Sequence, residues 1–155
     1  MRTVLLIGLL LVGCGSGQKK SATTAAPAAV TLDDHGDPKG LHRHRRWSER
    51  IGQGAQPEGE EAFRNLQALG YTTVLSVDGS VPEFELAAKY GLTYAHVPIG
   101  YDGLAPEEQV GIIKAVKESP GPVYVHCHHG KHRGPAAAMI AREAKAVVDT
   151  RHVLA

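Results

Sequence analysis

Cysteine, aromatic side chains, net charge and long apolar runs are all scarce in this chain. Of its 155 residues two are cysteine, Cys14 and Cys127, and aromatic residues make up 5%. The formal net charge is +1, and no aromatic residues interleave with the basic ones, which excludes the usual signature of a nucleic-acid binder. The continuous apolar stretch from Val4 to Val12 is far short of the roughly 20 residues that a bilayer span needs. No internal repeat is visible, so solenoids and propellers are excluded as well.

What is present at the front is an export pattern. Met1-Arg2 is a short positive start, and Val4 to Val12 then reads as the core of a signal peptide. It ends in Leu11-Val12-Gly13-Cys14, which resembles the bacterial lipobox. That resemblance implies lipidation of Cys14, a mature chain beginning there, and stable anchoring through more than one acyl chain. Gly15 after the cysteine implies the periplasmic face of the outer membrane. With Cys14 so used, Cys127 has no partner for an intrachain disulfide. Ser16 to about Lys39 is rich in Ala, Thr, Ser, Gly and Pro and then acidic, without apolar periodicity, and reads as a tether. The expected organisation is a signal peptide over 1–13, a lipidated flexible tether over 14–40 and one domain over 41–155. The basic run Leu41-His42-Arg43-His44-Arg45-Arg46 reads as a solvated edge, with anionic headgroups or an acidic partner as the alternative.

The remainder alternates helix and strand. Pro57-Glu58-Gly59-Glu60-Glu61 opens a helix whose apolar face is Ala62, Phe63, Leu66 and Leu69, and Gly70 ends it. Thr72 to Val77 and Leu92 to Ile99 read as strands. Pro82 to Tyr90 and Pro106 to Ser119 read as helices, with Val110, Ile113, Ala115 and Val116 expected to face inward on the second. Such alternation implies an α/β fold, a mostly parallel central sheet flanked by helices. Ligands then bind beyond the carboxyl ends of the strands, where Asp78, the loop from Gly100 to Leu104, and Cys127 would gather.

The densest chemistry lies in His126-Cys127-His128-His129-Gly130-Lys131-His132-Arg133. An apolar run, Pro122-Val123-Tyr124-Val125, reads as a buried strand before it, and Gly134-Pro135-Ala136-Ala137-Ala138 reads as a helix start after it. A strand–loop–helix unit of this kind turns backbone N–H groups toward a bound anion. A helix N-terminus and nearby cations favour the thiolate form of a cysteine. These residues resemble the His-Cys-(five residues)-Arg signature of the protein tyrosine phosphatase superfamily, in the style of its small dual-specificity branch. The resemblance implies a phosphotyrosine-phosphatase-like fold, from which this chain is expected to depart in a helical layer that is short at the C-terminus. It also implies a Cys127 nucleophile, an Arg133 phosphoryl clamp and a supporting His126. His128, His129, Gly130, Lys131, His132 and Arg133 would form the phosphate-binding loop. No metal or organic cofactor is expected, and the substrate would be a phosphorylated protein or a small phosphate ester.

Phosphatases of this type also need a proton donor for the leaving group. Asp102, in Gly100-Tyr101-Asp102-Gly103-Leu104, is the first candidate and Asp78 the second, although either Asp-Gly pair also suits a plain turn. Glu107 and Glu108 read as first-turn helix acids. One departure stands out. Family members commonly carry Ser or Thr after the arginine, where this chain has Gly134, which puts breakdown of the covalent intermediate in question. A catalytically weak pseudophosphatase is therefore a competing expectation. A metal-binding lipoprotein using the loop histidines is a third, and a sulfurtransferase or arsenate-reductase-like reaction a fourth.

Overall fold

The computed structural model describes residues 29–153, with side chains to residue 144. The signal sequence and Cys14 therefore lie outside the described residues. Five strands form one sheet: β1 (Arg45–Arg46), β2 (Ile51–Ala55), β3 (Thr73–Ser76), β4 (Thr93–His96) and β5 (Val123–Cys127). Their spatial order is β1-β2-β5-β3-β4. β1 runs antiparallel to β2 at one edge, and every other pairing is parallel. The helices are α1 (Gly59–Ala68), α2 (Phe84–Lys89), α3 (Pro106–Glu118) and α4 (Arg133–Val153). This is the expected α/β architecture.

Period-two alternation along the central strands feeds two separate cores. Val123 and Val125 of β5, with Leu75 of β3, face Ile112, Val116, Ala137, Ala138 and Ala141 beneath α3 and α4. Tyr124 and Val74 point the other way, into Phe63, Leu66, Tyr71 and Ala87 beneath α1 and α2. Covering both faces explains why β5 is buried at every position. The inward face of α3 holds Val116 and Ala115 as expected, but Ile112 in place of Ile113, and not Val110. Ile112 and Val116 are buried while Val110 is 64% exposed, because α4 packs along the 112/116 stripe.

β2 is not legible from its composition, Ile51-Gly-Gln-Gly-Ala55. Its glycines are there for ring contacts: a Cβ on Gly52 would collide with the Tyr71 hydroxyl, and one on Gly54 with that of Tyr124. Parallel pairing with β5 supplies the backbone partners that its side chains do not advertise. The basic run is likewise structural in part. The Arg46 guanidinium lies 4.5 Å over the Tyr71 ring and donates to Leu69 O at 2.8 Å. His44 stacks on Tyr124 and shares a 2.8 Å hydrogen bond with the Tyr71 hydroxyl.

The end of the expected tether is also built into the domain. The Thr31 N–H donates to Asn65 Oδ1 at 3.1 Å, and the Asn65 amide donates to Lys39 O at 3.0 Å. Leu41 is fully buried against α1. Packing thus begins ahead of residue 41, because buried Asn65 needs the backbone of 31–39 as its hydrogen-bonding partner.

Candidate active site

β5 ends at Cys127 and α4 begins at Arg133, so the loop between them stands at the carboxyl end of the central strand. Cys127 is 3% exposed, at the floor of this loop. Gly130 adopts φ 67°, and a Cβ there would stand 2.6 Å from Ala55 N and 2.7 Å from Gly54 O. No other residue type allows the loop to lie this close to β2. The buried Gln53 side chain fastens it, donating from Nε2 to Gly130 O at 3.0 Å and to Gly54 O at 3.1 Å. Because C=O and N–H point in opposite directions across a planar peptide, holding Gly130 O outward turns the Lys131 N–H inward. The Gln56 N–H donates to His128 O at 3.2 Å, a further tie to the end of β2. Sequence reasoning passed over Gln53, a polar residue in an unrecognised strand.

His126 is buried, as a loop-supporting residue would be. Its Nε2 lies 3.1 Å from the Tyr94 hydroxyl, and its ring stacks against Tyr124. Burial pushes its pKa down to about 4, so the imidazole is neutral at neutral pH. His128 and His129 are exposed, their ring centroids 4.4 Å apart, and Lys131 and His132 are also exposed. His126 thus points away from the other histidines. Among the described residues no three or more His, Cys, Asp or Glu side chains are grouped to hold a metal ion.

Arg133 is held on its far side. Nη1 donates to Ile99 O at 3.2 Å, Nη2 lies 3.7 Å from Asp78 Oδ2, and the guanidinium lies 4.5 Å over the Tyr101 ring. Asp78 is nearly buried and accepts from the Ser80 N–H at 2.9 Å. Burial works to raise its pKa, but the Ser80 hydrogen bonds and the charges of Arg133 and His128 outweigh that effect and hold it low. Asp78 is therefore an anion that orients Arg133, a poor proton donor at neutral pH. Asp102 is exposed, on a loop whose Gly103 adopts φ 123°, and its carboxylate folds back over Gly100. The two aspartates meet the site differently: Asp78 touches Arg133 directly, while Asp102 shares a loop with Tyr101 and Ile99, which do. Glu108 is a helix-start acid as expected, accepting from the Ala105 N–H at 2.8 Å.

Gly134 begins the buried face of α4. A Cβ there would stand 3.3 Å from Cys127 Sγ and 3.4 Å from Gln53 Nε2, which leaves little room for the missing hydroxyl-bearing side chain.

The fold is the one shared by solved protein-tyrosine-phosphatase-like phosphatases. Among solved structures, a DUF442-type candidate phosphatase from Shewanella putrefaciens CN-32 superposes with TM-score 0.59 at 18% identity, over 66% of this chain and 69% of that one. The core catalytic domain of the PP-IP phosphatase SIW14 from S. cerevisiae gives 0.57 at 16% identity, over 66% of each chain. TpbA from P. aeruginosa gives 0.52 at 20% identity, over 75% of this chain and 68% of that one. At these identities the likeness is one of fold. No protein-family model matches the chain, and no curated protein matches its sequence.

Proposed function

We propose that this protein is a phosphoric monoester hydrolase of the tyrosine/dual-specificity type, working through a phosphocysteine intermediate. The observation that carries the reading is Cys127 at the floor of a glycine-turned loop, with Arg133 opening the following helix. In the first half-reaction the Cys127 thiolate attacks phosphorus, the P–O ester bond breaks, and Asp102 protonates the departing oxygen. In the second, the Asp102 carboxylate takes a proton from water, whose oxygen attacks phosphorus. The S–P bond then breaks, giving phosphate and the thiolate. Arg133 and the loop N–H groups hold the phosphoryl oxygens as charge develops. Asp102 is preferred to Asp78 as proton donor because Asp78 is held ionised by Arg133 and Ser80. The chain is further proposed to act outside the cytoplasm, anchored through lipidated Cys14 to the outer membrane of a bacterium. That part rests on the sequence pattern alone.

The testing experiment is aryl phosphate hydrolysis under reducing conditions with EDTA present, wild type beside Cys127→Ser. Turnover that vanishes in the variant is the expected result. Turnover that survives it would sink the cysteine mechanism. A second reading, a pseudophosphatase that binds phosphate without turning it over, is favoured by one specific feature. Both Gln53 amide hydrogens are committed to carbonyls and Gly134 has no hydroxyl, so neither offers Sγ a donor. Vanadate binding without hydrolysis by the folded wild type would select that reading.

A further inference from the structure

The helix pair α3 and α4 covers one face of the sheet and leaves apolar surface open on its own outer side. α4 buries Ala137, Ala138 and Ala141 against the sheet, while Met139 is 54% exposed. On α3, Ile112 and Val116 turn inward and Val110 is left in solvent. Between the helices runs a groove of about 500 Å³, walled by Ile113 and Lys117 of α3 and by Met139, Ile140, Glu143 and Ala144 of α4. Val110 prolongs its apolar wall, three residues before Ile113 on the same helical stripe. The described N-terminal segment does not cover the groove, because Thr31 and Leu41 pack on α1, at the other face of the sheet.

This lining suits a protein surface better than a small molecule. No wall residue holds a buried, unpaired polar atom, so a small ligand would find nothing to fix its orientation. The polar groups stand at the rim and are of opposite sign, Lys117 on α3 and Glu143 on α4, both exposed. Glu143 meets only the adjacent Arg142, at 3.0 Å. Lys117 has no ion-pair partner among the described residues, since it is Lys114 that reaches Glu118, at 3.9 Å. β4 and β5 run the same way, so α3 and α4, which follow them, start at one edge of the sheet and run alongside each other. Lys117 and Glu143 thus stand across the groove at similar distances along their helices. A two-fold axis laid along the groove places α3 of one copy on α4 of the other. Lys117 then meets the partner's Glu143 twice over, and Ile113 meets the partner's Met139, an adaptable apolar side chain. Such self-complementarity is what an isologous contact requires. We infer that the α3–α4 face is a homodimer interface, formed about a two-fold axis parallel to both helices. Both Cys127 loops then open toward the same end of the dimer, because each stands at the edge where α4 begins.

The test is sedimentation equilibrium in density-matched detergent, on the full chain carrying Cys14→Ser so that no lipid is attached. The parent is expected to be dimeric at about 100 μM and to dissociate on dilution, as small interfaces do. Lys117→Glu and Glu143→Lys should each weaken the dimer at least about fivefold, because each sets like charges against one another at both contacts. Mixed one to one, the two variants should regain the parent's Kd, since a mixed pair carries opposite charges at both contacts. Met139→Glu should abolish association, and Lys114→Gln, outside the groove, should leave it unchanged. All four positions are exposed, so circular dichroism and Tm should match the parent's. A monomer at every concentration up to about 500 μM, a dimer indifferent to both charge reversals, or a mixture no tighter than either variant alone would overturn the interface. Association through the apolar Val4 to Val12 run would show itself as that indifference.

Discussion

The two flanks of the Cys127 loop are built on opposite plans. On the β2 side the loop is welded to the sheet: Gly130 lies against the Gly54–Ala55 backbone, Gln53 is 2% exposed, and the Tyr124 hydroxyl donates to Ala55 O at 2.7 Å. On the β4–α3 side, Tyr101, Asp102 and Gly103 are exposed, and the contacts that reach the loop come through Arg133. Binding a phosphate calls for fixed N–H groups, which the buried flank supplies at no cost of reorganisation. Handling a proton calls for a carboxyl group that can meet a leaving group and then water, which suits an exposed loop. On the proposed mechanism, holding and proton transfer would fall on opposite flanks of the loop.

The widest separation of the two proposed roles is expected at Cys127. Cys127→Ser is expected to lower kcat on an aryl phosphate by at least about 10⁴-fold while vanadate affinity persists, measured by steady-state kinetics beside calorimetry. Proportionate loss of binding would mean that the loop itself had collapsed. Next is the exposed flank: Asp102→Asn should lower kcat by roughly 10²- to 10⁴-fold with KM little changed. Asp78→Asn should instead raise KM, since it frees Arg133 from its anchor. The reverse pattern would exchange the roles of the two aspartates.

The buried flank should show itself in stability. His126 has its pKa depressed to about 4 from 6.5, so between those values the unfolded chain binds the extra proton. Stability is therefore full above about pH 6.5 and falls as pH drops toward 4, by roughly 3 kcal/mol at most. Urea midpoints across that window should trace the loss, and His126→Asn should flatten it. The smallest effect is expected for Gln53→Leu, at about 1–3 kcal/mol from the unpaired Gly130 carbonyl. That variant should also weaken vanadate binding at temperatures where it remains folded. Weakened stability with unchanged vanadate affinity would reduce Gln53 to a packing residue.

Much of this was legible in advance, for reasons that can be named. Helix starts at Pro106 and Gly59, the β-branched run at β3, and the strand–loop–helix around Cys127 are local signals, and each gave its element to within a few residues. β2 was not, because Gly52 and Gly54 answer to tyrosine rings from elsewhere in the chain. The inward stripe of α3 was misread by one position at Ile113, since the choice between Ile112 and Ile113 is made by where α4 lies. The segment before residue 41 looked unstructured because its partner, Asn65, is a polar residue on a helix and announces nothing.

The amino-acid order by itself determined the alternating α/β plan and the placing of the His126 to Arg133 run between a strand and a helix, since both depend on neighbours within a few residues. Only the tertiary structure decided that Asp78 would be tied to Arg133 and that Gln53 would clamp Gly130. Those pairings join residues far apart in the chain, and they exist because parallel strands bring their carboxyl ends to one edge of the sheet.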